Sequence, residues 1–330
     1  MLTKRQNLLE TIKGGKPDRF VNQYEFLGFI FGDPIQMRGP MLMPGGEDIV
    51  GAWGVTLRWP SHVPGPFPVH DEDRKVVKDI RKWEQAVKAP SLDVPEEEWA
   101  GFAERAAAID RNEQFAAIMG APGIFEQLHY LMGMDDTLIN FYEEPEAMHE
   151  LIDYITEYKT EYARLLIKYA KPDALFHHDD WGSHINSFLS PAMFEEFIVP
   201  AYKKLYGFYR ENGVELIVHH SDSYAANLVP FMIEMGIDIW QGVVSTNNIP
   251  ELIEKYGGKI SFMGGIDNGK VDVPDWTPEL IREHVEKVCR ECGKLYFIPN
   301  TTMGGPESTF PGVYETVSKE IDRMSKIMFK

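Results

Sequence analysis

The stretch DALFHHDDW, residues 173–181, decides the fold because a short apolar run ends abruptly in two histidines and two aspartates. Short apolar runs of this kind are typical of buried parallel strands, and in β/α barrels the residues at the C-terminal ends of the strands form the site. Segments with helical periodicity separate this run from similar ones that end in Gly, Asp, His or Asn. The other runs are FAAIMG (115–120), VELIVHHSD (214–222), IDIWQG (237–242), KISFMGGID (259–267) and KLYFIPN (294–300).

The segments between these runs predict amphipathic helices. Between Pro145 and Lys171, apolar residues recur every three or four positions, which predicts one long helix with a buried face. Ser190-Pro191 and Thr277-Pro278 each place a hydroxyl N-cap before a proline at the first helical position.

Alternating strands and helices predict an α/β fold, a (β/α)8 TIM barrel with an elaborated N-terminal region. Two further strands, near Val21–Phe26 and Gly54–Trp59, would bring the number of strands to eight. An open doubly wound sheet is the alternative, and the lack of GxGxxG after the early strands disfavours it.

Without a long linker, residues 1–330 are expected to form a single barrel domain, with 1–70 as an N-terminal helix and irregular loop extension. The Pro- and Gly-rich stretch 32–68 is too long for a simple connection, which favours an elaborated loop region with a functional or lid role.

The charge composition excludes several classes of function. With 33 Lys plus Arg against 51 Asp plus Glu, the formal net charge is −18, which argues against binding nucleic acid or an anionic membrane. The two cysteines, Cys289 and Cys292, are too few for a disulfide framework, and the first twenty residues lack the apolar run of a signal peptide or membrane anchor. A cytoplasmic protein is therefore expected.

The candidate catalytic residues lie at two strand ends. Because side chains alternate along a strand, His178 and Asp180 share one direction, and His220 and Asp222 share a direction at the next strand end. Imidazole with carboxylate suits a zinc ion or a proton-transfer pair. We predict Asp180, His220 and Asp222 as catalytic residues, with His220 and Asp222 as possible metal ligands. The alternative is that these side chains only cap helices and hydrogen-bond to loops.

The candidate substrate-binding residues lie at the same end of the barrel. His178 stands beside the catalytic candidates, Trp181 and Met303 could line an apolar pocket, and Gln241 and Asn300 end two further strands. We predict that these five side chains contact the substrate.

In order and spacing, several segments together resemble the uroporphyrinogen decarboxylase superfamily from about Val50 to the C-terminus. These segments are GAWGVTLRW (51–59), DALFHHDDWGSH (173–184), VHHSDS (218–223), KISFMGGIDNG (259–269) and FIPNTTMGGPEST (297–309). This resemblance implies a (β/α)8 barrel and an activity from one of two groups, the porphyrinogen decarboxylases or the cobamide-dependent methyltransferases.

The details of the resemblance favour the second group. The arginine-rich RQAGRY motif of the decarboxylases, which grips propionates, is replaced by NQYEFLGFIFGDP at 22–34. The HxC motif of the thiol-accepting methyltransferases reads His220, Ser221, Asp222, and their later cysteine falls at about Thr301 or Thr302. A zinc ion here would therefore need oxygen ligands.

The resemblance thus implies a methyltransferase that moves a methyl group from a small donor, such as a methoxylated aromatic, to the Co(I) of cobalamin on a separate corrinoid protein. No DxHxxG corrinoid-binding motif occurs in the chain, so the cofactor is expected to arrive on that partner. Zinc held by the strand-end residues is possible. A decarboxylase-type lyase acting on a small non-porphyrin substrate, or a barrel that only binds, are the alternatives.

Overall fold

The apolar runs form the strands of one curled parallel sheet. The computed structural model describes residues 1–63 and 65–330. Its strands are β1 Leu27–Ile30, β2 Ile49–Val50, β3 Thr56–Arg58, β4 Phe67–Pro68, β5 Phe115–Gly120, β6 Ala174–His178, β7 Leu216–His220, β8 Ile239–Val243, β9 Ser261–Ile266 and β10 Phe297–Thr301. Within the described residues, seven strands pair in the order β1-β5-β6-β7-β8-β9-β10, each parallel to its neighbours.

Helices follow most of these strands and pack around the sheet. They are α1 Lys4–Ile12, α2 Trp83–Ala86, α3 Ala100–Ala107, α4 Ile124–Met132, α5 Met134–Glu143, α6 Pro145–Ala170, α7 Pro191–Met193, α8 Val199–Glu211, α9 Val229–Glu234, α10 Ile249–Tyr256, α11 Asn268–Val271, α12 Pro278–Cys292 and α13 Val313–Met328. Strand-helix alternation confirms the predicted α/β class.

The predicted helix signals are confirmed in detail. Helix α6 begins with Pro145 at its first turn and buries its apolar stripe, including Met148 and Ile155. The hydroxyls of Ser190 and Thr277 accept hydrogen bonds from the third backbone N–H of their helices, at 3.3 and 3.2 Å. Local capping chemistry therefore sets where these helices start.

The predicted eighth strand is wrong. Thr56–Arg58, within the predicted Gly54–Trp59, forms β3 of a separate three-stranded antiparallel sheet, in the order β2-β3-β4. The predicted strand at Val21–Phe26 is displaced to Leu27–Ile30, because Gln23 has a left-handed backbone conformation, with φ of +51°, that interrupts extended chain.

The sheet therefore leaves a seam between β1 and β10, which form no ladder with each other in the described part of the chain. Side chains cross this seam. The Gln23 carboxamide oxygen accepts from Thr301 N at 3.4 Å, and the Tyr24 hydroxyl donates to the Met303 carbonyl at 2.6 Å. Polar side chains thus join the two strands where backbone hydrogen bonds do not.

The long connection after β1 carries the elaborated region. Its antiparallel sheet and irregular loops lie between Phe31 and α2, so the first strand of the parallel sheet falls inside the predicted extension 1–70. None of the described helices combines the length and the apolar character needed to cross a membrane.

Candidate active site

Strand register brings predicted site residues from β6, β7 and β8 together at one end of the sheet. In the parallel pairing, His178 lies beside His220 and His220 beside Gln241. The rings of His178 and His220 are 4.2 Å apart between centroids, and the Asp180 carboxylate lies 3.8 Å from His220 Nε2. His178, Asp180 and His220 each offer an atom within 4.8 Å of the others. We call these three residues the imidazole–carboxylate cluster.

Glu126 on helix α4 orients His178. Its Oε2 lies 3.1 Å from His178 Nδ1 and also accepts from Gly123 N at 3.1 Å. Burial alone would lower the pKa of His178, but the carboxylates of Glu126, foremost, and of Asp180 and Asp222 together outweigh this and raise the pKa to about 10. Without a metal, His178 therefore carries a proton at neutral pH, and its Nε2 faces away from Glu126.

Gln241 orients His220 by a different contact. The Gln241 amide nitrogen faces three acceptors: Asn300 Oδ1 at 3.3 Å, the Thr301 carbonyl at 3.3 Å and the Met303 carbonyl at 3.2 Å. The hydrogen-bond network therefore assigns the amide oxygen to His220, whose Nδ1 donates to it. Burial, and then the charge of His178, lower the pKa of His220 to about 4, so its Nε2 keeps a free lone pair.

A bulge in β8 permits this placement of Gln241. The pairing of β8 with β9 shifts between Gln241 and Val243, and Gly242 has φ of +91°. A Cβ on Gly242 would lie 3.0 Å from the backbone of Ser221. Glycine at this position therefore lets β8 lie close against the end of β7.

Asp222 lies beside the cluster and outside its set of converging atoms. Its backbone N–H donates to Asp180 Oδ1 at 3.0 Å, and its side chain is exposed. Burial raises the pKa of Asp180 above its usual range, and the charge of Glu126 adds to this while His178 opposes it. Although part of the Asp222 side chain is exposed, the surrounding protein desolvates its carboxyl group and, with the charge of Asp180, raises its pKa. The three side chains whose atoms converge are therefore His178, Asp180 and His220. Of the two predicted metal ligands, His220 and Asp222, only His220 belongs to this set.

The remaining predicted substrate contacts differ in where they lie. Trp181 is only 2% exposed, stacks on His219 at 3.8 Å and donates its indole N–H to Asp179, so it packs in the core beside the site. Asn300 is fully buried beside Gln241, and its Nδ2 has no partner among the described residues. An unpaired buried donor is costly, which marks a place where a ligand oxygen or water fits.

Met303 begins the segment that covers the cluster, Met303–Phe310, which we call the roof. The Asn268 side chain accepts from Met303 N at 2.8 Å, and the Asp272 carboxylate accepts from Thr309 N and Phe310 N at 2.7 and 2.8 Å. A cavity of about 470 Å³ lies between the roof and Ser61–Val63. Met303 lines this cavity, whose lining does not include the cluster, so its contact with substrate stays a prediction.

Gly304 brings the roof against both imidazoles. A Cβ on this glycine would lie 3.1 Å from His178 Cδ2 and 3.1 Å from His220 Nε2. Because residue 304 has no side chain, the space in front of His220 Nε2 stays free for a ligand.

Aromatic side chains connect the cluster with the surface. Phe176 stacks under His220 at 6.2 Å, Phe29 meets Phe176 edge to face at 5.6 Å, and Phe31 stacks on Phe29 at 5.5 Å. Phe31 is 52% exposed. These four rings form an aromatic lane from the cluster to solvent.

Sequence reasoning missed Glu126, Phe29 and Phe31. Only polar residues that directly end an apolar run were candidates. Glu126 was missed because it lies on a helix, six residues after the end of β5. The alternation of Phe29 and Phe31 along FLGFIFG could have indicated an inward-facing aromatic pair, but the strand was placed too early in the chain.

The fold and site define an α/β barrel-like protein whose functional groups lie at the C-terminal ends of its strands. The sequence matches the family described as Uroporphyrinogen decarboxylase (URO-D) over residues 51–323. The chain belongs to the uroporphyrinogen decarboxylase family.

Individual relatives are more distant. Uroporphyrinogen decarboxylase 2, chloroplastic, from Oryza sativa subsp. japonica is 27% identical over 266 residues, which cover 76% of this chain and 65% of the relative. Uroporphyrinogen decarboxylase, chloroplastic, from Zea mays is 26% identical over 266 residues, or 76% of this chain and 64% of the relative. The match thus spans slightly less than two thirds of these relatives' length.

A solved structure supports the fold over the whole chain. A methyltransferase from Methanosarcina mazei superposes with a TM-score of 0.65, covering 98% of this chain and 99% of that chain. At 13% sequence identity this likeness concerns the fold alone.

Proposed function

We propose that this protein is a methyltransferase that moves a methyl group from a small donor, a methoxylated aromatic, to the Co(I) of a corrinoid carried by a separate protein. The observation that carries the proposal is the imidazole–carboxylate cluster at the inner end of an aromatic lane. Phe29 and Phe31, the two lane residues that are not fully buried, offer ring surface against which an aromatic donor can pack. The cluster offers the acid–base groups that ether cleavage needs.

The main barrier in this reaction is the leaving oxygen. When a methyl group leaves an aryl ether, the oxygen gains negative charge and must receive a proton or be coordinated. His178 holds a proton against the Glu126 carboxylate, and Asp180 lies within the same cluster. Either group can place a proton at an ether oxygen in front of His220 Nε2. The Asp222 carboxylate, beside Asp180, would favour the protonated form of that group through like-charge repulsion.

The cluster also fits a zinc ion. Two imidazoles and one carboxylate are a donor set that zinc accepts while keeping a position open for a ligand. Each imidazole has its other nitrogen held by an acceptor, Glu126 for His178 and Gln241 for His220, as the histidine ligands of metals commonly do. His178, Asp180 and His220 would hold the ion, with Asp222 adjacent. Bound there, zinc would supply a Lewis acid for the ether oxygen.

The corrinoid partner would approach the C-terminal end of the barrel. A reduced corrinoid supplies the nucleophile that accepts the methyl group. On this side of the protein, Phe31 follows directly on a strand end and is exposed, as are Met37, Met41 and Met43 in the connection after it. We propose this open end as the docking surface.

A decarboxylase-type lyase acting on a small non-porphyrin substrate is the second candidate, since the relatives bear the name of a decarboxylase. The charges around the cluster argue against it. A substrate carboxylate needs a cationic partner, whereas His178 already pairs with Glu126. In the described part of the chain, neither Asp180 nor Asp222 pairs with a lysine or arginine.

The proposal is tested by anaerobic incubation of the protein with cob(I)alamin, zinc and a panel of methoxybenzenes, following methylcob(III)alamin by its visible spectrum. We expect methylation with an aryl ether, and its loss in Asp222→Ala and His220→Ala with folding retained. Carbon dioxide release from a carboxylated substrate without corrinoid would support the lyase instead. Full methyl transfer by Asp222→Ala would remove that residue from the mechanism.

A further inference from the structure

The charges around the cluster leave an excess of negative charge where the donor would lie. Glu126 Oε2 contacts His178 Nδ1 at 3.1 Å, Asp180 Oδ1 lies 3.8 Å from His220 Nε2, and the Asp222 N–H donates to Asp180 Oδ1 at 3.0 Å. Three carboxylates therefore lie around two imidazoles at short range. A divalent cation held by two neutral imidazoles would still leave one negative charge in excess.

The cations around the barrel are engaged elsewhere. Lys270 binds Asp267 at 3.0 Å and Ser245 Oγ at 2.6 Å, and the Lys159 ammonium donates to the Pro122 carbonyl at 2.5 Å. At the outer end of the aromatic lane, Arg105 donates to the carbonyls of Phe31 and Gly32 at 3.0 and 2.7 Å. These three cations thus already have acceptors, and none of the described lysines and arginines forms an ion pair with Glu126, Asp180 or Asp222.

We propose that the site selects its methyl donor by charge, accepting aromatic ethers that are neutral or cationic next to the methoxy group and rejecting those that carry a carboxylate there. This inference rests on the proposed function, since it assigns the substrate class of the same site. A carboxylate ortho to the methoxy group would lose its hydration and meet like charges at short range. A neutral hydroxyl or an ammonium at the same position can donate to Asp180 or Asp222.

Asp222 is the residue that sets this preference most directly. It is exposed and belongs to neither imidazole's hydrogen-bond system, so Asp222→Asn removes one charge while keeping the shape of the side chain. Glu254, exposed on α10, provides the matched control. Glu254→Gln changes the net charge of the protein by the same amount and leaves the site intact.

The test measures binding separately from catalysis. Isothermal titration calorimetry at pH 7.5, with zinc supplied, compares 2-methoxyphenol, 2-methoxybenzylamine and 2-methoxybenzoate, which share the methoxy group and differ in charge. We expect the amine to bind at least as tightly as the phenol and the benzoate at least tenfold more weakly. In Asp222→Asn the difference between phenol and benzoate should fall to about threefold, and in Glu254→Gln it should remain.

Benzoate binding within twofold of the phenol would overturn the inference, as would an equal effect of Glu254→Gln. Absence of binding by all three compounds would overturn both the inference and the aromatic donor of the proposed function. Charge-selective binding without methyl transfer to cob(I)alamin or to a corrinoid protein would support the inference and contradict the proposed function.

Discussion

At the scale of single residues, Glu126 is the group on which the state of His178 depends. Glu126→Gln keeps an oxygen that can accept from the Gly123 N–H, and glutamine suits this position of a helix as well as glutamate does. The charge that orients and polarises His178 is lost. We expect zinc affinity and methyl transfer to fall about 10- to 100-fold, as is common when the hydrogen-bond partner of a ligand is changed.

Zinc content by mass spectrometry and the rate of methylcobalamin formation measure this effect. An unchanged thermal midpoint would show that the fold is intact. Wild-type zinc content and rate in Glu126→Gln would mean that the contact with His178 is structural only.

Gly304 is a second residue whose substitution should weaken ligand binding. An alanine at this position would put its Cβ 3.1 Å from both imidazoles, in the space in front of His220 Nε2. We expect Gly304→Ala to weaken binding of zinc or donor at least tenfold. The neighbouring Gly305 is a matched control, because a Cβ there would lie 3.5 Å from the nearest atom, a flexible Glu307 oxygen. Equal binding by the two alanine variants would contradict the steric role of Gly304.

At the scale of elements, Asp179 ties strand β6 to helix α4. Its carboxylate accepts from the backbone N–H groups of Phe125 and Glu126 at 3.0 and 2.7 Å, from the Tyr202 hydroxyl at 2.6 Å and from the Trp181 indole at 2.9 Å. Asp179→Ala leaves these buried donors without an acceptor. We expect the free energy of unfolding to fall by about 3 kcal/mol.

Urea denaturation of Asp179→Ala beside Thr277→Ala measures this difference. Thr277 caps α12 through one hydrogen bond, so its loss should cost only about 1 kcal/mol. A comparable decrease in the free energy of unfolding for the two variants would show that Asp179 acts as an ordinary cap and has no special role in holding α4 and Glu126 in place.

The sequence was informative about elements whose signal is local. Strand runs such as ELIVHH and caps such as Ser190-Pro191 depend on neighbouring residues, and the structure has them where they were predicted. The strand predicted at Gly54–Trp59 failed because a short β-rich segment does not reveal which sheet it joins. Glu126 could not be found because its role depends on how α4 packs over β6, a contact between residues 52 positions apart.

At the scale of the whole molecule, the seam between β1 and β10 depends on Gln23. This buried side chain accepts from Thr301 N and Oγ1 and donates to Ser318 Oγ at 2.7 Å and to the Tyr314 carbonyl at 3.2 Å. Gln23→Ala should lower the free energy of unfolding by about 1–3 kcal/mol. The amide of Thr301 should exchange its hydrogen faster, since local opening would need fewer bonds to break.

Native-state hydrogen exchange followed by mass spectrometry can locate this effect. The amides of β7, in the middle of the sheet, serve as the internal reference. Equal acceleration in β7 and β10 would point to global destabilisation and contradict a local role for Gln23.

For the molecule as a whole, periodicity predicted a ring of strands with the functional residues at one end. The sheet order confirms that the strands of this sheet pair in the order of the chain. Periodicity could not predict that β1 and β10 of the described sheet stay unpaired, because nothing in glutamine itself indicates the left-handed backbone of Gln23. The positions of His178, Asp180 and His220 followed from strand alternation. Their partners did not, because those contacts arise from tertiary packing.

The open seam has a consequence for how the protein is made. Because the strands pair in chain order, each strand leaving the ribosome finds its neighbour already synthesised. In the described part of the chain, no ladder joins the first strand of the parallel sheet to the last. The sheet can therefore grow along with the nascent chain. Contacts between the two ends of the chain, such as those of Gln23 and Tyr24 with residues 301–318, must wait until translation has delivered the C-terminal part, so the two ends meet last.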